Sequence, residues 1–474
     1  MRRARLASFA LSTATVVAAA CGGGGDNGDG DAPADPDAAA VDAPGTAIDA
    51  PEVEVDAAEI DAALPGPVTV TVRSGGVPVA GVAVVWTDAA GAVLAHEATS
   101  TAGEATEDVY AGSAVTLLAT SPTAAVSVTY LGIEPGDQLD WTFEPPPAVR
   151  HGDVSVTLAG AQPTATRYRI QLGCTRFETT TPAVAVTGVL PPACLGSDQT
   201  IDVVATAYNV QGAIVGYAVR TDVAAVAGGT TAVAMGAWQT NLDPLAIALT
   251  NVPTGTNGAH AVTFEHHFRA DGVDFRGVDV SGLPSSANVT LQSGRFQGGI
   301  VERLQYVLML GRGPQNMPVG YSALVVGRAD APAAVSHDLA TLLPLVTAAT
   351  SSQTGGRLQV DFTAAGSFAT TDGSVFISRW RQGTVDHVAY VIAPPGVTSP
   401  VVVPPLPDAL AAYRPTATSV FMRPTVIFAE ADFIAGYRAF RAIASRLLAT
   451  NGPIDVLPAA GGTMRLTFGG QLPQ

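Results

Sequence analysis

The sequence predicts a mainly β protein made of several antiparallel β-sandwiches, and three observations carry that expectation. From residue 64 onward, apolar residues recur with period two in short runs, the pattern of half-buried strands. Fifty glycines and 34 prolines punctuate those runs at hairpin spacing. Charged residues are only 14% of the chain, too few for long helices laced with salt bridges. At 474 residues the chain exceeds one small core, so a few domains are expected.

The first 21 residues read as an export signal. Arg2, Arg3 and Arg5 precede an apolar run of 15 residues, Leu6 to Ala20. A bilayer-spanning helix needs about 20 apolar residues, so this run is a cleaved signal rather than a permanent span. Its end reads two ways. Ala18-Ala19-Ala20 fits an ordinary signal peptidase, which would release a soluble chain. The same alanines followed by Cys21 resemble a bacterial lipobox, although Ala18 stands where Leu is usual. That resemblance implies a lipoprotein whose first mature residue, Cys21, carries lipid and holds the chain to a membrane. An unpaired thiol is unusual in an oxidising compartment, and attached lipid removes it. Gly22 after Cys21 is similar to the outer-membrane sorting pattern of enteric bacteria.

Residues 22–63 carry twelve acidic residues, Asp26 through Asp61, and no cation. Rich in Ala, Pro and Gly, this segment lacks the apolar surface needed to offset its ordering entropy, so a disordered acidic tether is expected. "DNGDGDAPAD" lacks the spacing, central Gly and closing Glu of a calcium loop.

The first sandwich is expected over 64–144. Val68, Val70 and Val72 alternate with Thr69 and Thr71, and Val82, Val84 and Trp86 share one face of a following strand. Pro78-Val79-Ala80-Gly81, the turn from Asp88 to Gly91, Thr101 with Gly103, and Val115 to Leu118 resemble the carboxypeptidase-regulatory-like domain. That resemblance implies a small transthyretin-like or Ig-like sandwich that serves as a spacer or binding platform without catalytic residues of its own.

"EPPPAV", residues 144–149, marks a boundary. A second sandwich is expected over 148–238, with strand-like runs at "DVSVTLAG", "TRYRIQLGC", "TIDVVATAYN" and "AIVGYAVRTDVA". It holds Cys174 and Cys194, for which an exported chain favours a disulfide over two buried thiols. The remainder, 239–474, continues in short strands and divides into candidate sandwiches at 239–352 and 353–474. One helix is expected near the end. Asp432 would cap it, Phe433, Tyr437, Phe440, Ala444 and Leu447 form its apolar stripe, and Asn451-Gly452-Pro453 would stop it.

Several chemistries are excluded or left unselected. All 24 cations are arginine, so a phosphate-loop lysine, a Schiff-base lysine and a Ser–Lys dyad are ruled out. A net charge of −17 argues against nucleic acid as a partner. "FEHHF" puts Glu265 and His267 on one strand face and His266 on the other, too few ligands for zinc. "HEAT" at 96–99 has Ser100 where a zinc protease needs its second histidine. "GYSALVVG" lacks the second glycine of a nucleophile elbow around Ser322. His337 and His387 are available to a triad assembled in space, but nothing selects them, and no catalytic residue, metal or cofactor is assigned.

"FISRWRQ", 376–382, is the candidate ligand-binding stretch. On a strand, Arg379 and Arg381 share one face and Trp380 takes the other. An exposed Trp380 would stack on a sugar or peptide with arginines nearby for anionic groups; the alternative is a core tryptophan backed by solvated arginines. Three function classes follow for an envelope protein at the outer membrane or cell surface. The first is a binding, adhesion or scaffold protein meeting a glycan or an envelope protein. The second is a displayed hydrolase acting on polysaccharide or peptide, and the third is a structural envelope component.

Overall fold

Alternation in the sequence becomes layering in space. The computed structural model describes residues 64–120, 124–143, 150–172, 175–182, 185–192, 195–196, 198–210, 213–252, 260–268, 274–282, 287–296, 303–312, 320–330, 332–448, 456–458 and 460–470. The chain is mainly β, with several antiparallel sheets and one α-helix among these residues.

The first module contains β1 (Gly66–Ser74), β2 (Val77–Pro78), β3 (Ala83–Thr87), β4 (Val93–Ala98), β5 (Glu104–Val109), β6 (Ser113–Thr120), β7 (Ala124–Ile133) and β8 (Gln138–Thr142). Val68, Val70 and Val72 of β1 are fully buried and meet Val84 and Trp86 of β3 in one core. Burial of each such valine contributes about 1.5–3 kcal/mol, which is why the period-two run adopts this register. Strand β1 pairs antiparallel with β5 and parallel with β8, Val70 lying opposite Ala105 and Leu139. The facing sheet runs β4-β3-β6-β7.

The second module is a separate sandwich of β9 (Gly152–Thr157), β10 (Arg167–Leu172), β11 (Thr175–Thr179), β12 (Val186–Leu190), β13 (Thr200–Tyr208), β14 (Ile214–Ala224) and β15 (Thr230–Ala234). Sheets β11-β10-β13-β14 and β12-β9-β15 enclose Val154, Ile170, Leu172, Val203, Ala205 and Val233. Cys174 and Cys194, like Cys21, lie outside the described residues.

The third stretch contains β16 (Asp243–Thr250), β17 (His260–Phe268), β18 (Asp274–Gly282), β19 (Val289–Arg295), β20 (Arg303–Arg312), β21 (Gly320–Arg328) and β22 (Ala334–Asp338). The last contains β23 (Val346–Thr354), β24 (Arg357–Ala364), β25 (Gly373–Gln382), β26 (Val385–Ala393), β27 (Val401–Val402), β28 (Val420–Phe421), β29 (Thr425–Ala431), α1 (Gly436–Leu447) and β30 (Gly461–Gly470).

Strand pairing continues across these segments. One sheet runs β18-β17-β20-β21-β30-β29-β25-β26-β7-β6-β3-β4, with β28 beside β25. The junction that admits the first module is a parallel pair, β26 with β7, in which Val388, Tyr390 and Ile392 lie opposite Val126, Val128 and Tyr130. Sheet β19-β16-β22 closes the core of Leu245, Ile247, Leu308 and Leu324, and sheet β23-β24-β27 closes the core of Val360, Phe376, Val391 and Phe428.

Helix α1 packs on the opposite side of β25 from that second core. Its Phe440, Ala444 and Leu447 join the core of Val375, Ile377 and Ala429. Phe433 precedes the helix, so the inward stripe is shorter than the spacing implies, and Asp432 does not cap the helix. Asp432 accepts a hydrogen bond from the Thr463 N–H at 2.9 Å instead. The chain enters the helix through Gly436 at φ +73°, and Asp372, just before β25, accepts from the Ala431 N–H at 2.7 Å and from the Gly436 backbone. Glycine takes this left-handed turn without steric cost, and Asp372, far back in the chain, supplies the acceptor that Asp432 does not. No helix among the described residues is long and apolar enough to cross a membrane.

Candidate functional site

Helix α1 seals the junction between the first module and the last through one buried carboxylate. Asp137, in the turn from β7 to β8, is 1% exposed. Its Oδ2 lies 2.6 Å from Arg441 Nη1 and accepts the Glu134 N–H at 2.7 Å, while Arg438 Nε lies 2.8 Å from Oδ1. The Arg441 guanidinium sits 4.7 Å above the Tyr437 ring. Tyr437 O–H donates to the carbonyls of Leu131 at 2.6 Å and Ile392 at 3.0 Å, one on each strand of the parallel β7–β26 pair. Burial pushes the Tyr437 phenol well above its usual range, so it stays a donor at any physiological pH.

Beyond the reach of α1, the same face of β25 carries the arginines singled out from the sequence. Alternation along β25 sends Val375, Ile377, Arg379 and Arg381 to one face and Phe376, Ser378 and Trp380 to the other. Trp380 is 2% exposed and buried beneath β24, so the core alternative describes it and its ring offers no stacking surface to solvent. It stacks on His387 with ring centroids 4.9 Å apart and planes 12° apart, and meets Phe421 at 6.0 Å. Burial pushes His387 below the ordinary histidine range, with Asp386 opposing the shift.

The two arginines differ. Arg381 is bound across the hairpin by Asp386, with Nε–Oδ1 2.7 Å and Nη2–Oδ2 3.2 Å, and this bidentate contact lowers the Asp386 pKa. Arg379 is half-buried and makes no ion pair among the described residues. Its neighbour on the face is Tyr390 of β26, whose phenol is raised by burial and lowered by the Arg379 charge. Tyr390 in turn meets Trp141 of β8, with centroids 5.3 Å apart, and Trp141 meets Phe143 at 6.4 Å edge-on. The Trp141 Nε1–H is buried with no acceptor among the described residues. The aromatic partner of Tyr390 thus comes from the first module, and Trp141 itself is a buried core residue, 5% exposed. The β7–β26 pairing helps bring residues 141–143 and 385–393 together, a proximity for which local sequence carries no signal.

The other singled-out residues lie elsewhere in the fold. A hydrogen bond joins Tyr306 Oη to His337 Nε2, and burial, assisted by Arg328, lowers the His337 pKa to about 4. Ser322 is fully buried inside β21. His96 and Glu97 lie on β4, where Glu97 accepts the Trp86 indole N–H at 3.0 Å. Glu265, His266 and His267 fall on β17, whose side chains lie outside the described residues. Among the described residues, no group of three or more His, Cys, Asp and Glu is arranged to hold a metal ion.

No family model matches the chain, and no curated protein matches it. Among solved structures it is similar to the Bacillus anthracis TIE protein at 9% identity, over 58% of this chain and 50% of that one, with a TM-score of 0.14. The matched stretch therefore spans half the length of that protein. The shaft pilin SpaA of Lactobacillus rhamnosus GG is similar at 11% identity over 36% of this chain and 98% of that one, with a TM-score of 0.14. A streptococcal ancillary pilin is similar at 9% identity over 57% of this chain and 98% of that one, with a TM-score of 0.13. Likenesses this distant bear on neither ligand nor activity.

Proposed function

We propose that this chain is a cell-surface binding or scaffold protein, exported, lipidated on Cys21 and displayed from the outer membrane on the acidic segment 22–63. The observation that carries this reading is the β7–β26 weld with its Asp137–Arg441 seal. It joins the module that directly follows the tether to the last module in one sheet, a construction suited to presenting a fixed surface. Three reactive side chains singled out from the sequence have structural surroundings: His337 is tied to Tyr306, His387 stacks on Trp380, and Ser322 is enclosed. Ligand recognition on such a protein falls to sheet faces and loops.

The test is made on cells of the native host. A membrane-impermeant label and mass spectrometry of the mature amino terminus should find a lipid-modified Cys21 on surface-labelled protein, and Cys21→Ala should shed the chain from the membrane fraction. A mature chain starting at unmodified Cys21, or a product retained in the cytoplasm, contradicts the proposal.

A further inference from the structure

We infer that the open edge of β15, in the second module, binds an extended segment of a partner protein by strand addition. The inference rests on the surface-binding reading above for its setting and gives the partner a form: one strand with apolar side chains at alternate positions.

The two sheets of this module are unequal. Sheet β11-β10-β13-β14 has four strands, and the sheet that closes the core with it, β12-β9-β15, has three. Strands β14 and β15 are each the last of their sheet and do not pair with each other. A cleft of about 510 Å³ opens between them, lined by residues 219–223 and 232–234. A fourth strand laid beside β15 would enter this cleft and make the sheets equal.

Hydrogen bonds fix which backbone groups face it. In the parallel β9–β15 ladder the Asp153 N–H donates to the Gly229 carbonyl at 2.7 Å, and the Met235 N–H donates to the Thr157 carbonyl at 2.9 Å. Alternation between these ends turns Thr231 and Val233 toward β9. It leaves the N–H and C=O groups of Thr230, Ala232 and Ala234 on the outer edge, with no backbone partner among the described residues. On β14 the Tyr217 N–H and C=O are both bonded to Gln239, at 2.8 and 2.7 Å, so those of Val219 also point away from β13. Rows of unpaired amides are satisfied by another extended backbone.

Edges that stay solitary are guarded by charges, proline or bulges. Strand β14 is guarded in this way. Thr221 and Asp222 bulge opposite Asp202, Asp222 has φ +56° and donates its N–H to Asp202 at 2.8 Å, and Arg220 and Asp222 are exposed. Strand β15 reads TTAVA, with no charge, no proline and an unbroken register along β9. Its exposed Ala232 and Ala234 carry only a methyl group, so a neighbouring backbone meets little obstruction. Val223 packs on the module's core and lines the cleft with Val233, so the inward positions of an added strand favour apolar side chains. Arg220 and Asp222 supply one charge of each sign to the same cleft, so no net charge is selected.

The experiment titrates the full mature chain, in detergent, into a fluorescein-labelled, end-blocked hexapeptide alternating valine and threonine, read by polarisation. This peptide should bind, and hydrogen exchange over residues 230–234 should slow in the complex. Its fully N-methylated form, which cannot donate to a sheet edge, should not bind, and a form with serine for valine should bind more weakly. Ala232→Pro removes one outward N–H and leaves the β9 ladder intact, so it should weaken binding at least about fivefold. Circular dichroism matching the wild type shows that the variant is folded, and the N-methylated peptide preserves the test should it fail to fold. No binding of the valine–threonine peptide, equal binding of its N-methylated form, or unaltered affinity in Ala232→Pro overturns the assignment. Self-association of the chain that Ala232→Pro abolishes, without peptide binding, would give the edge to a second copy and overturn it equally. The titration does not depend on where the chain is displayed, so surface labelling of cells separates these outcomes from failure of the display reading.

Discussion

Replacing Asp137 by alanine should destabilise the molecule more than any single surface change, because it strands a cation. Arg441 is 3% exposed, and among the described residues its Nε has no acceptor and Asp137 is its one charged partner. Removing one member of a buried pair costs about 3–5 kcal/mol, since the remaining charge keeps its desolvation penalty and loses the attraction offsetting it. Arg438 is a different case. Its side chain is 63% exposed, so Arg438→Ala should cost under about 1 kcal/mol despite a similar distance to the same carboxylate. The double variant Asp137→Leu/Arg441→Met removes both charges and should be less damaging than Asp137→Ala alone. Urea unfolding followed by tryptophan fluorescence measures the ordering of these variants. Hydrogen exchange across residues 436–447 adds a local readout, which matters because a chain of several modules need not unfold in two states. An Asp137→Ala loss no larger than that of Arg438→Ala would refute the reasoning.

Further expectations follow from the same packing. Gly373→Ala would place a Cβ 2.3 Å from the Phe440 ring, so α1 should be displaced at a cost of about 1–3 kcal/mol, read as faster exchange in the helix. Trp380→Ala should cost about 3–5 kcal/mol, measured as a lowered denaturation midpoint, because it empties a core position between His387 and Phe421. His337 has its folded pKa lowered to about 4, beneath an unfolded value of about 6.5. The stability it contributes is therefore fully present above about pH 6.5 and is lost as pH falls toward 4. His337→Gln should flatten stability over that window, and the His337 ring should titrate by NMR near the lowered value. Non-reducing peptide mapping should link Cys174 to Cys194; free thiols at both positions would contradict the disulfide expectation.

Much of the layering was legible because period-two patterning acts locally. Val68, Val70 and Val72, and later Ile377 against Phe376, sort to their faces as alternation requires, since burial of one face fixes the register. The same rule separated Arg379 and Arg381 from Trp380. It does not say which face a second sheet will cover, so the tryptophan's burial beneath β24 became visible only in three dimensions. The helix illustrates a second limit. Its stripe was readable from spacing, but the buried Arg441 and the service of Asp372 in place of Asp432 depend on strands far along the chain. The parallel β7–β26 pair is the clearest case: residues 124–130 and 386–392 meet with no turn between them to announce it. The meeting of Tyr390 with Trp141 depends on that pairing.

The parallel β7–β26 pair joins the first module to the last, and an engineered cysteine pair at Ser127 and Ala389 tests it most directly. These two residues lie opposite each other in the parallel ladder, at a separation a disulfide can span. Peptide mapping of oxidised Ser127→Cys/Ala389→Cys protein should recover a linked peptide joining the two positions in a folded chain. Free thiols at both positions under the same conditions would contradict the weld and, with it, the site that the weld assembles.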